Sequence, residues 1–282
     1  GVSIIATIAL ALGIGANTAI FSVVNAVLLR PLPFPDPNSL VAVFETDLQR
    51  GQQRGSHSYP NFFDVRAQNT VFERLASYYD GNFVMTGRGE PVRLQGAVGT
   101  ADLIPLLGVA PLLGRTFHPD EDKPLAAGRV VILSHTLFQN RFGSDPSILN
   151  QAITLDGRSY TVVGVMPPGF EFPTTIAGDA AGSDPVTGQR GAHFLRVIGR
   201  LKPGVTQEQA QTELTAIAAR LEQQYPDENS RRSLRVESAH AALVGEVRPM
   251  LILFLCAVAA VLLIACANVA NLMLAATASR ER

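Results

Sequence analysis

Two long apolar stretches without a formal charge bracket the sequence, one at residues 1–29 and the other at residues 249–279. At about 1.5 Å per helical residue, each would reach about 40 Å, more than the roughly 30 Å hydrocarbon core of a bilayer. We therefore expect transmembrane helix 1 at residues 1–29 and transmembrane helix 2 at residues 249–279. Almost all titratable residues lie between them, so residues 30–248 are expected to form a domain outside the membrane.

Small and amide side chains interrupt both apolar stretches. Small residues recur at helical spacing in the first stretch, which allows the backbone of another helix to approach closely. An amide is costly in hydrocarbon unless it is paired, so each asparagine there needs a partner or an interfacial position. Two interpretations of these asparagines stay open: helix packing, or a polar path for transport. The residues expected to contribute to transmembrane helix packing are Gly13, Gly15, Asn17, Asn25, Asn268 and Asn271.

Short apolar runs between turn residues predict the strands of the middle domain. Residues 130–133 are continuously apolar, which is typical of a strand buried on both faces. The clearest hairpin has Asp156 and Gly157 as its two-residue turn, because this pair adopts the positive φ angles that such a turn requires. The other strands are expected at residues 40–45, 82–86, 92–98, 153–155, 158–165, 194–201 and 234–237.

The strongest helix signal of the middle domain follows Thr206. Thr206 and Gln209 form a capping box, and an apolar stripe continues to a stop at Tyr225. Proline at every second position of residues 31–37 predicts a stiff, extended exit from the first apolar stretch. The other expected elements are helices after Pro60, at 102–107 and at 135–142, and loops at 49–55 and 174–192. Together these elements predict an α+β fold, a mixed extracytoplasmic domain flanked by two transmembrane helices.

Charge and cysteine content narrow the function classes. The 23 basic residues stand against 24 acidic ones without a sustained block of one sign, which argues against a nucleic-acid groove or a polybasic lipid patch. Cys256 and Cys266 both lie in the second apolar stretch, so the middle domain has no disulfide or thiol chemistry. Arg280 and Arg282 follow that stretch and indicate a cytoplasmic end, which places the middle domain on the other side. Arg30 is an opposing signal in this orientation.

No catalytic constellation is recognisable in the sequence, which has no Gly-x-Ser-x-Gly elbow and no His-Glu-x-x-His pair. The nearest match to a phosphate-binding loop, residues 108–116, has its glycines one residue too far apart and Arg115 in place of lysine. The acidic run at residues 118–122 could hold a divalent cation, but a solvated acidic loop is commoner. The remaining histidines stand at no ligand spacing. We therefore expect no catalytic residue, metal or cofactor, and expect another chain to hydrolyse any ATP.

Four segments resemble one family of transport proteins. Residues 11–33 are similar to the first span and exit of ABC-transporter permeases of the FtsX/MacB type, most of all to the large duplicated orphan permeases of acidobacteria. Residues 137–146 and 155–167 resemble the MacB-like periplasmic core domain of that family, and residues 267–275 resemble its second span. The resemblance covers almost the whole sequence.

The resemblance implies an architecture and a set of partners. A porter-like part at residues 30–114 and 193–248 would carry an inserted periplasmic subdomain at residues 115–192. Such permeases lie in the bacterial inner membrane, where ATP hydrolysis by a separate cytoplasmic ABC ATPase drives movements of the periplasmic domain and hence efflux. The implied partners are that ATPase, a second permease unit or internal duplicate, a periplasmic adaptor and membrane lipid, with no nucleic acid.

Three other functions stay open beside this leading interpretation. An extracytoplasmic sensor domain between two transmembrane helices fits the same layout, because ligand binding can shift helix positions across the membrane. The duplicated permeases that this sequence resembles often lack a neighbouring ATPase, which leaves an orphan scaffold without a motor. A membrane-tethered hydrolase would need a nucleophile or metal set that the sequence does not present. Residues after Arg282 would separate permease from sensor, since a permease continues with two further spans and a sensor with a signalling module.

Overall fold

The computed structural model describes residues 11, 14–15, 17–25, 28, 30–87, 89–122, 129–170, 176–178, 188–245 and 247–278. Much of the first apolar stretch, including Gly13, lies outside these residues, so transmembrane helix 1 stays a prediction. The chain divides into two compact units. The larger unit is residues 33–239, and the smaller unit combines residues 1–32 with residues 240–282.

The larger unit is built on one mixed β-sheet. Its described strands are β1 (Leu40–Asp47), β2 (Gln52–Gly55), β3 (His57–Ser58), β4 (Phe72–Thr86), β5 (Val92–Gly99), β6 (Leu113–Gly114), β7 (Val130–Leu133), β8 (Ala152–Leu155), β9 (Arg158–Val165), β10 (Ile176–Gly178), β11 (His193–Leu201) and β12 (Arg232–Ser238). The main path through the sheet runs β12-β1-β11-β4-β5-β10-β7-β9-β6. Most neighbours are antiparallel, whereas β5 with β10 and β7 with β9 are parallel. The α+β fold is therefore confirmed for this unit.

The described helices are α1 (Tyr59–Gln68), α2 (Leu103–Leu107), α3 (His135–Phe142), α4 (Gln207–Gln224), α5 (Pro226–Asn229), α6 (Ala239–Val244) and α7 (Arg248–Ala278). The predicted capping box is present at the start of α4, where the side chains and backbones of Thr206 and Gln209 bond reciprocally. Gly143 ends α3 with a φ of 59°, and Asp156 and Gly157 have φ angles of 47° and 72°. These local predictions are confirmed.

Two expected loops contain strands. β2 lies within residues 49–55, where Glu45 of β1 pairs with Gly55 and Asp47 pairs with Gln52. β10 lies within residues 174–192 and pairs with both β5 and β7. Neither segment has the apolar alternation of a strand. β2 forms a hairpin with β1, which directly precedes it, whereas β10 is formed by backbone hydrogen bonds to strands far away in the sequence. The loop predictions were wrong at these residues, while residues 174–175 and 179–187 lie outside the described part of the chain.

Within the described residues, β4 contributes to two hydrophobic cores of the sheet. The first core joins β1, β11 and β12 to α1 and α4, and it includes Phe72 and Leu75 from the start of β4. The second core joins β5 and β7–β9 to α3, and it includes Phe83 and Met85 from the end of β4. Because β4 has 15 residues, one continuous strand spans both cores.

Candidate functional site

The smaller unit brings one of the predicted packing residues onto a neighbouring helix. Residues 17–24 are helical, and the side-chain amide of Asn17 donates to the backbone oxygen of Val258 in α7 over 3.3 Å. This contact joins the two apolar stretches within the smaller unit. A paired amide of this kind lowers the cost of placing asparagine in hydrocarbon.

The other predicted packing residues have more open surroundings. Asn25 is half-buried, Gly15 is exposed, and a Cβ added to Gly15 would meet nothing within 4 Å. Asn268 and Asn271 are exposed on α7. Gly13 lies outside the described residues. The role of these five residues, and that of Asn17, in transmembrane helix packing therefore stays a prediction. In the described part of the chain, one helix, at residues 248–271, is long and apolar enough to cross a membrane.

The two ends of the larger unit enter its sheet side by side. β1 begins directly after residues 33–39, which we call the exit peptide and which end in a 3-10 turn at Pro37–Ser39. Val41 of β1 pairs with Ser238 at the end of β12. On the other side of β1, Leu40 pairs with Arg200 of β11. The chain therefore enters and leaves the sheet on adjacent antiparallel strands, and the entering end pairs with Arg200 on its other side.

Arg200 binds three groups around this entry point. Its Nε donates to the backbone oxygen of Leu106 over 2.8 Å, near the end of α2. Its Nη1 donates to the hydroxyl oxygen of Ser39 over 2.6 Å and to the backbone oxygen of Asp36 over 3.2 Å. One side chain on β11 thus holds both the exit peptide and the neighbouring helix.

Packing contacts hold the exit peptide as well. The rings of Phe34 and Phe170 lie 6.4 Å apart at an angle of 59°. Pro35 lies against Gly108, where an added Cβ would come within 3.2 Å of the proline Cγ. Gly108 ends α2 in the left-handed conformation, with a φ of 72°. The exit peptide therefore contacts α2 and the segment after β9, in addition to Arg200.

A second polar site lies inside the larger unit and centres on Glu45, which is 2% exposed. One carboxylate oxygen, Oε1, accepts from Asn61 over 3.0 Å and lies 3.5 Å from Nδ1 of His57. The other, Oε2, lies 3.0 Å from Nε2 of His193 and 3.6 Å from Nη1 of Arg232. We call Glu45, His57, Asn61, His193 and Arg232 the Glu45 cluster.

Burial and charge set the protonation of this cluster. Burial opposes ionisation of Glu45, but the hydrogen bond with His193 and the nearby histidine and asparagine groups outweigh it and hold the pKa of Glu45 below its usual value. Burial lowers the pKa of His57, and the adjacent Glu45 carboxylate only partly offsets that effect. Near neutral pH, the cluster therefore contains a carboxylate and a neutral His57.

A further network ties neighbouring segments to the Glu45 cluster. Asn61 also binds the side chain of Asn229 over 2.9 Å. Arg190 donates to Asn61 and to Asp64, each over 2.6 Å, and its guanidinium lies 3.5 Å from the centre of the Tyr225 ring. These contacts fix the segment before β11 against α1 and the end of α4, as expected of an arginine that combines hydrogen bonds with stacking.

The chemistry available at the Glu45 cluster is limited. The adjoining cavity, lined in part by Glu45, Asn61, Asn229 and Arg232, measures about 20 Å³. That volume holds about one water molecule. Within the described residues, no group of three or more histidine, cysteine, aspartate or glutamate side chains is arranged to hold a metal ion. The cluster therefore fits a structural role better than substrate binding.

The acidic run at residues 118–122 is organised by an arginine. Arg115 donates to both carboxylate oxygens of Glu121 over 3.0 and 2.8 Å, and Glu121 also accepts from the backbone nitrogen of His118. Burial opposes ionisation of Glu121, but these bonds outweigh it and lower the pKa of its carboxyl. Arg115, which stands where a phosphate-binding loop would have lysine, thus stabilises the acidic loop.

Neither polar site is recognisable from the sequence. His57 and His193 were among the histidines without ligand spacing, and Arg200 carried no motif. Their positions depend on strand register, because β3 and β11 pair His193 with Ser58 and Leu195 with His57. The available signal was compositional: acidic and basic residues inside otherwise apolar strands, such as Glu45 in β1 and Arg200 in β11.

Comparison with known structures shows a shared fold at low sequence identity. The crystal structure of the periplasmic region of MacB from Actinobacillus actinomycetemcomitans matches with a TM-score of 0.53 and 9% identity, covering 82% of this chain and 98% of that one. A domain from Porphyromonas gingivalis, described as part of a permease protein, matches with a TM-score of 0.56 and 14% identity, covering 73% and 92%. The extracellular domain of the noncanonic ABC-type transporter YknZ from Gram-positive bacteria matches with a TM-score of 0.50 and 14% identity, covering 70% and 99%.

The sequence comparison with protein families gives a match over most of the chain. The model of the MacB-like periplasmic core domain matches residues 3–217. No curated protein matches the chain. The matched residues contain most of the mixed sheet described above, from β1 to β11, together with α1 and much of α4. The chain therefore belongs to the family of MacB-like periplasmic core domains, which are components of ABC transporter permeases.

Proposed function

We propose that this chain is a permease unit of an ABC-type export or mechanotransmission system in the bacterial inner membrane. Transmembrane helices at residues 1–29 and 249–279 would hold the domain of residues 30–248 in the periplasm. Family membership supports a periplasmic domain, and α7 supports a membrane anchor after it. The chain itself would not be an enzyme, and its site residues would act by packing and transmission.

The domain division that we propose follows the two hydrophobic cores. The porter-like part, residues 30–114 and 193–248, would correspond mainly to the core that joins β1, β11 and β12 to α1 and α4. The inserted subdomain, residues 115–192, would correspond mainly to the core around β7, β9 and α3. Because Phe83 and Met85 of β4 pack into the second core, the inserted subdomain would share that strand with the porter-like part.

Each partner that we propose has a separate role in transport. A cytoplasmic ABC ATPase would bind and hydrolyse ATP, and a second permease unit would complete the membrane assembly. Movements of the periplasmic domain would then drive periplasmic substrates outward, with or without a periplasmic adaptor. Membrane lipid would surround the exposed apolar side chains of α7, such as Leu253 and Leu263.

One observation carries the proposal beyond family membership: the chain enters and leaves the sheet on adjacent strands. Val41 of β1 and Ser238 of β12 are paired, so two membrane helices that follow these ends would be attached to neighbouring positions of one sheet. A relative movement of the two helices would then act on the sheet directly. This arrangement suits a periplasmic domain whose movements are driven by displacements of its membrane helices.

Co-purification of the full-length protein from native membranes tests this proposal. We expect an ABC ATPase in the eluate, identified by mass spectrometry, and an ATP hydrolysis rate that falls when the permease chain is removed. A known ABC complex carried through the same procedure is the control. If that complex stays intact and no ATPase accompanies this protein, the permease proposal is wrong. An orphan scaffold or an extracytoplasmic sensor would then be favoured.

A further inference from the structure

The entry of the exit peptide into the sheet has a mechanical weakness. β1 and β12 are antiparallel, and the start of β1 lies opposite the end of β12, with Val41 paired to Ser238. A force that draws the start of β1 away from the end of β12 acts on the hydrogen bonds between the two strands one after another. The bonds nearest Val41 and Ser238 carry the force first. A pair of strands loaded in this way separates stepwise, so a pull on β1 alone would peel it from β12 before it moved the domain.

Arg200 provides an attachment that avoids this weakness. It lies on β11, the neighbour of β1 on the side opposite β12, where its backbone pairs with Leu40. Its side chain reaches past this position to Ser39 and Asp36 of the exit peptide. A pull on the exit peptide therefore reaches β11 through Arg200 at the same time as it reaches β1.

The bonds of Arg200 also include α2. Its Nε binds the backbone oxygen of Leu106, and the rest of α2 is held by side chains that are fully buried, including Leu103 and Leu107. Pro35 packs against Gly108 at the end of the same helix. The exit peptide, β11 and α2 are thus joined at one residue.

The directions in which a guanidinium donates hydrogen bonds, more than its charge, explain why position 200 is an arginine. The hydrogen-bond partners of Arg200 are two carbonyl oxygens and one hydroxyl oxygen, and within the described residues no carboxylate pairs with it. Its Nη2 is buried and makes no hydrogen bond in the same set of residues. A planar guanidinium donates in fixed, divergent directions, whereas a lysine ammonium would act as one point donor.

We propose that Arg200 is the positioning residue through which a displacement of the first membrane span moves the periplasmic domain. It makes the exit peptide, β11 and α2 move together, so that the ladder between β1 and β12 stays intact during each ATPase cycle. This inference rests on the proposed function, because it requires ATP-driven movement of the span. It adds a specific residue, with specific bonds, to that function.

Amide hydrogen exchange on the full-length protein, with its co-purified ATPase, tests this role. Exchange of residues 40–47 and 232–238 is measured by mass spectrometry without nucleotide and during ATP hydrolysis, for wild type and for Arg200→Gln. We expect similar exchange of the two proteins without nucleotide. During hydrolysis we expect exchange of these strands to become about tenfold faster in Arg200→Gln alone, because local opening exposes ladder amides. Arg196→Gln is the matched control, since Arg196 lies on the same strand and its ion pair with Asp80 is exposed.

The outcomes separate this inference from the proposed function. If wild type shows ATP-dependent exchange in the domain and Arg200→Gln matches it in β1 and β12, the role of Arg200 is wrong and the permease proposal stands. Equal acceleration in both nucleotide states would also overturn the coupling role, because it would indicate a purely structural bond. If wild type has no ATPase partner and no ATP-dependent exchange, both proposals are wrong.

Two milder variants keep the test decisive if Arg200→Gln does not fold. Arg200→Lys keeps the positive charge but loses the divergent donors, and we expect the same hydrolysis-dependent opening. Ser39→Ala removes one acceptor of Nη1, and we expect a smaller increase in exchange, confined to the hydrolysing state. Wild-type exchange in both variants during hydrolysis would overturn the role of Arg200.

Discussion

Gln211 of α4 binds Val236 of the edge strand β12 as a neighbouring strand would. Its side-chain oxygen accepts from the backbone nitrogen of Val236 over 2.8 Å. Its side-chain nitrogen donates to the backbone oxygen of Leu234, also over 2.8 Å. Gln207 adds a bond to the backbone oxygen of Val236 over 3.2 Å. Because an unpaired edge strand can recruit another chain, these glutamines protect β12 from pairing with a second molecule.

Gln211→Ala should therefore lower the free energy of unfolding by about 1–3 kcal/mol, because it leaves two backbone groups of β12 without their partners. Chemical denaturation of the purified protein measures this change. We also expect a larger fraction of dimers or aggregates in light scattering. Gln223→Ala, an exposed position on the same helix, should change neither quantity measurably. Equal stability of the two variants would show that the Gln211 bonds contribute nothing net.

The Glu45 cluster should make the domain less stable in acid. The pKa of His57 is lowered by folding, so below the ordinary value of 6.5 the unfolded chain binds a proton that the folded chain resists. The pKa of Glu45 is also lowered by folding, so a further loss of stability is expected below 4.5. Both groups act in the same direction. Thermal unfolding followed from pH 7 downward should therefore show a falling midpoint.

Replacement of His57 isolates its part of this pH dependence. In His57→Gln, we expect the decline of the midpoint just below pH 6.5 to become shallower, whatever the stability at neutral pH. Gln223→Ala, which changes an exposed side chain of α4 without a titratable group, is the control and should keep the wild-type slope. A wild-type slope in His57→Gln would show that another group titrates there.

Gly114 and Gly157 should respond differently to the same substitution. Both have positive φ angles, 75° and 72°, which cost an alanine about 1 kcal/mol or more. A Cβ at Gly157 would meet nothing within 4 Å, whereas a Cβ at Gly114 would overlap the backbone oxygen of Val163 in β9. We expect Gly114→Ala to lose roughly 2 kcal/mol more stability than Gly157→Ala, because β6 must move away from β9. Similar midpoints of chemical denaturation for the two variants would contradict this expectation.

The contact between Asn17 and Val258 predicts how the two apolar stretches associate. Asn17→Leu should weaken the association by roughly 0.5–2 kcal/mol, because it removes an interhelical hydrogen bond. Disulfide crosslinking between cysteines introduced on the two helices measures this effect in native membranes. Thr18→Val is the control, since the hydroxyl of Thr18 donates to the backbone oxygen of Ile14 in its own helix. Unchanged crosslinking in Asn17→Leu would argue that shape alone holds the helices together.

Local signals in the sequence predicted most of the elements. The turn at Asp156 and Gly157 and the capping box of Thr206 and Gln209 depend on residues within a few positions of each other. Their conformations follow from those residues alone, which is why these predictions are confirmed. β2 was missed because its residues are almost all polar, although its partner β1 directly precedes it, and β10 was missed because its hydrogen-bond partners, β5 and β7, lie far away in the sequence.

The polar sites could not be predicted by the same reasoning. Three strands contribute to the buried cluster: β1 with Glu45, β3 with His57 and β11 with His193. These side chains meet because β1 and β3 both pair with β11. Arg200 reaches the exit peptide for a similar reason, through the pairing of Leu40 with its own backbone. A shift of one residue in either register would turn these side chains to the opposite face of the sheet.

The sequence by itself therefore determined the apolar stretches, the order of the main elements and the family, since each depends on residues close together in the chain. The tertiary structure decided which charged groups are buried together and where the ends of the domain meet. Those features depend on strand pairing between segments far apart in the sequence. Pairing is selected by the packing of whole hydrophobic faces, such as those of β1, β11 and α4, and no single motif encodes it.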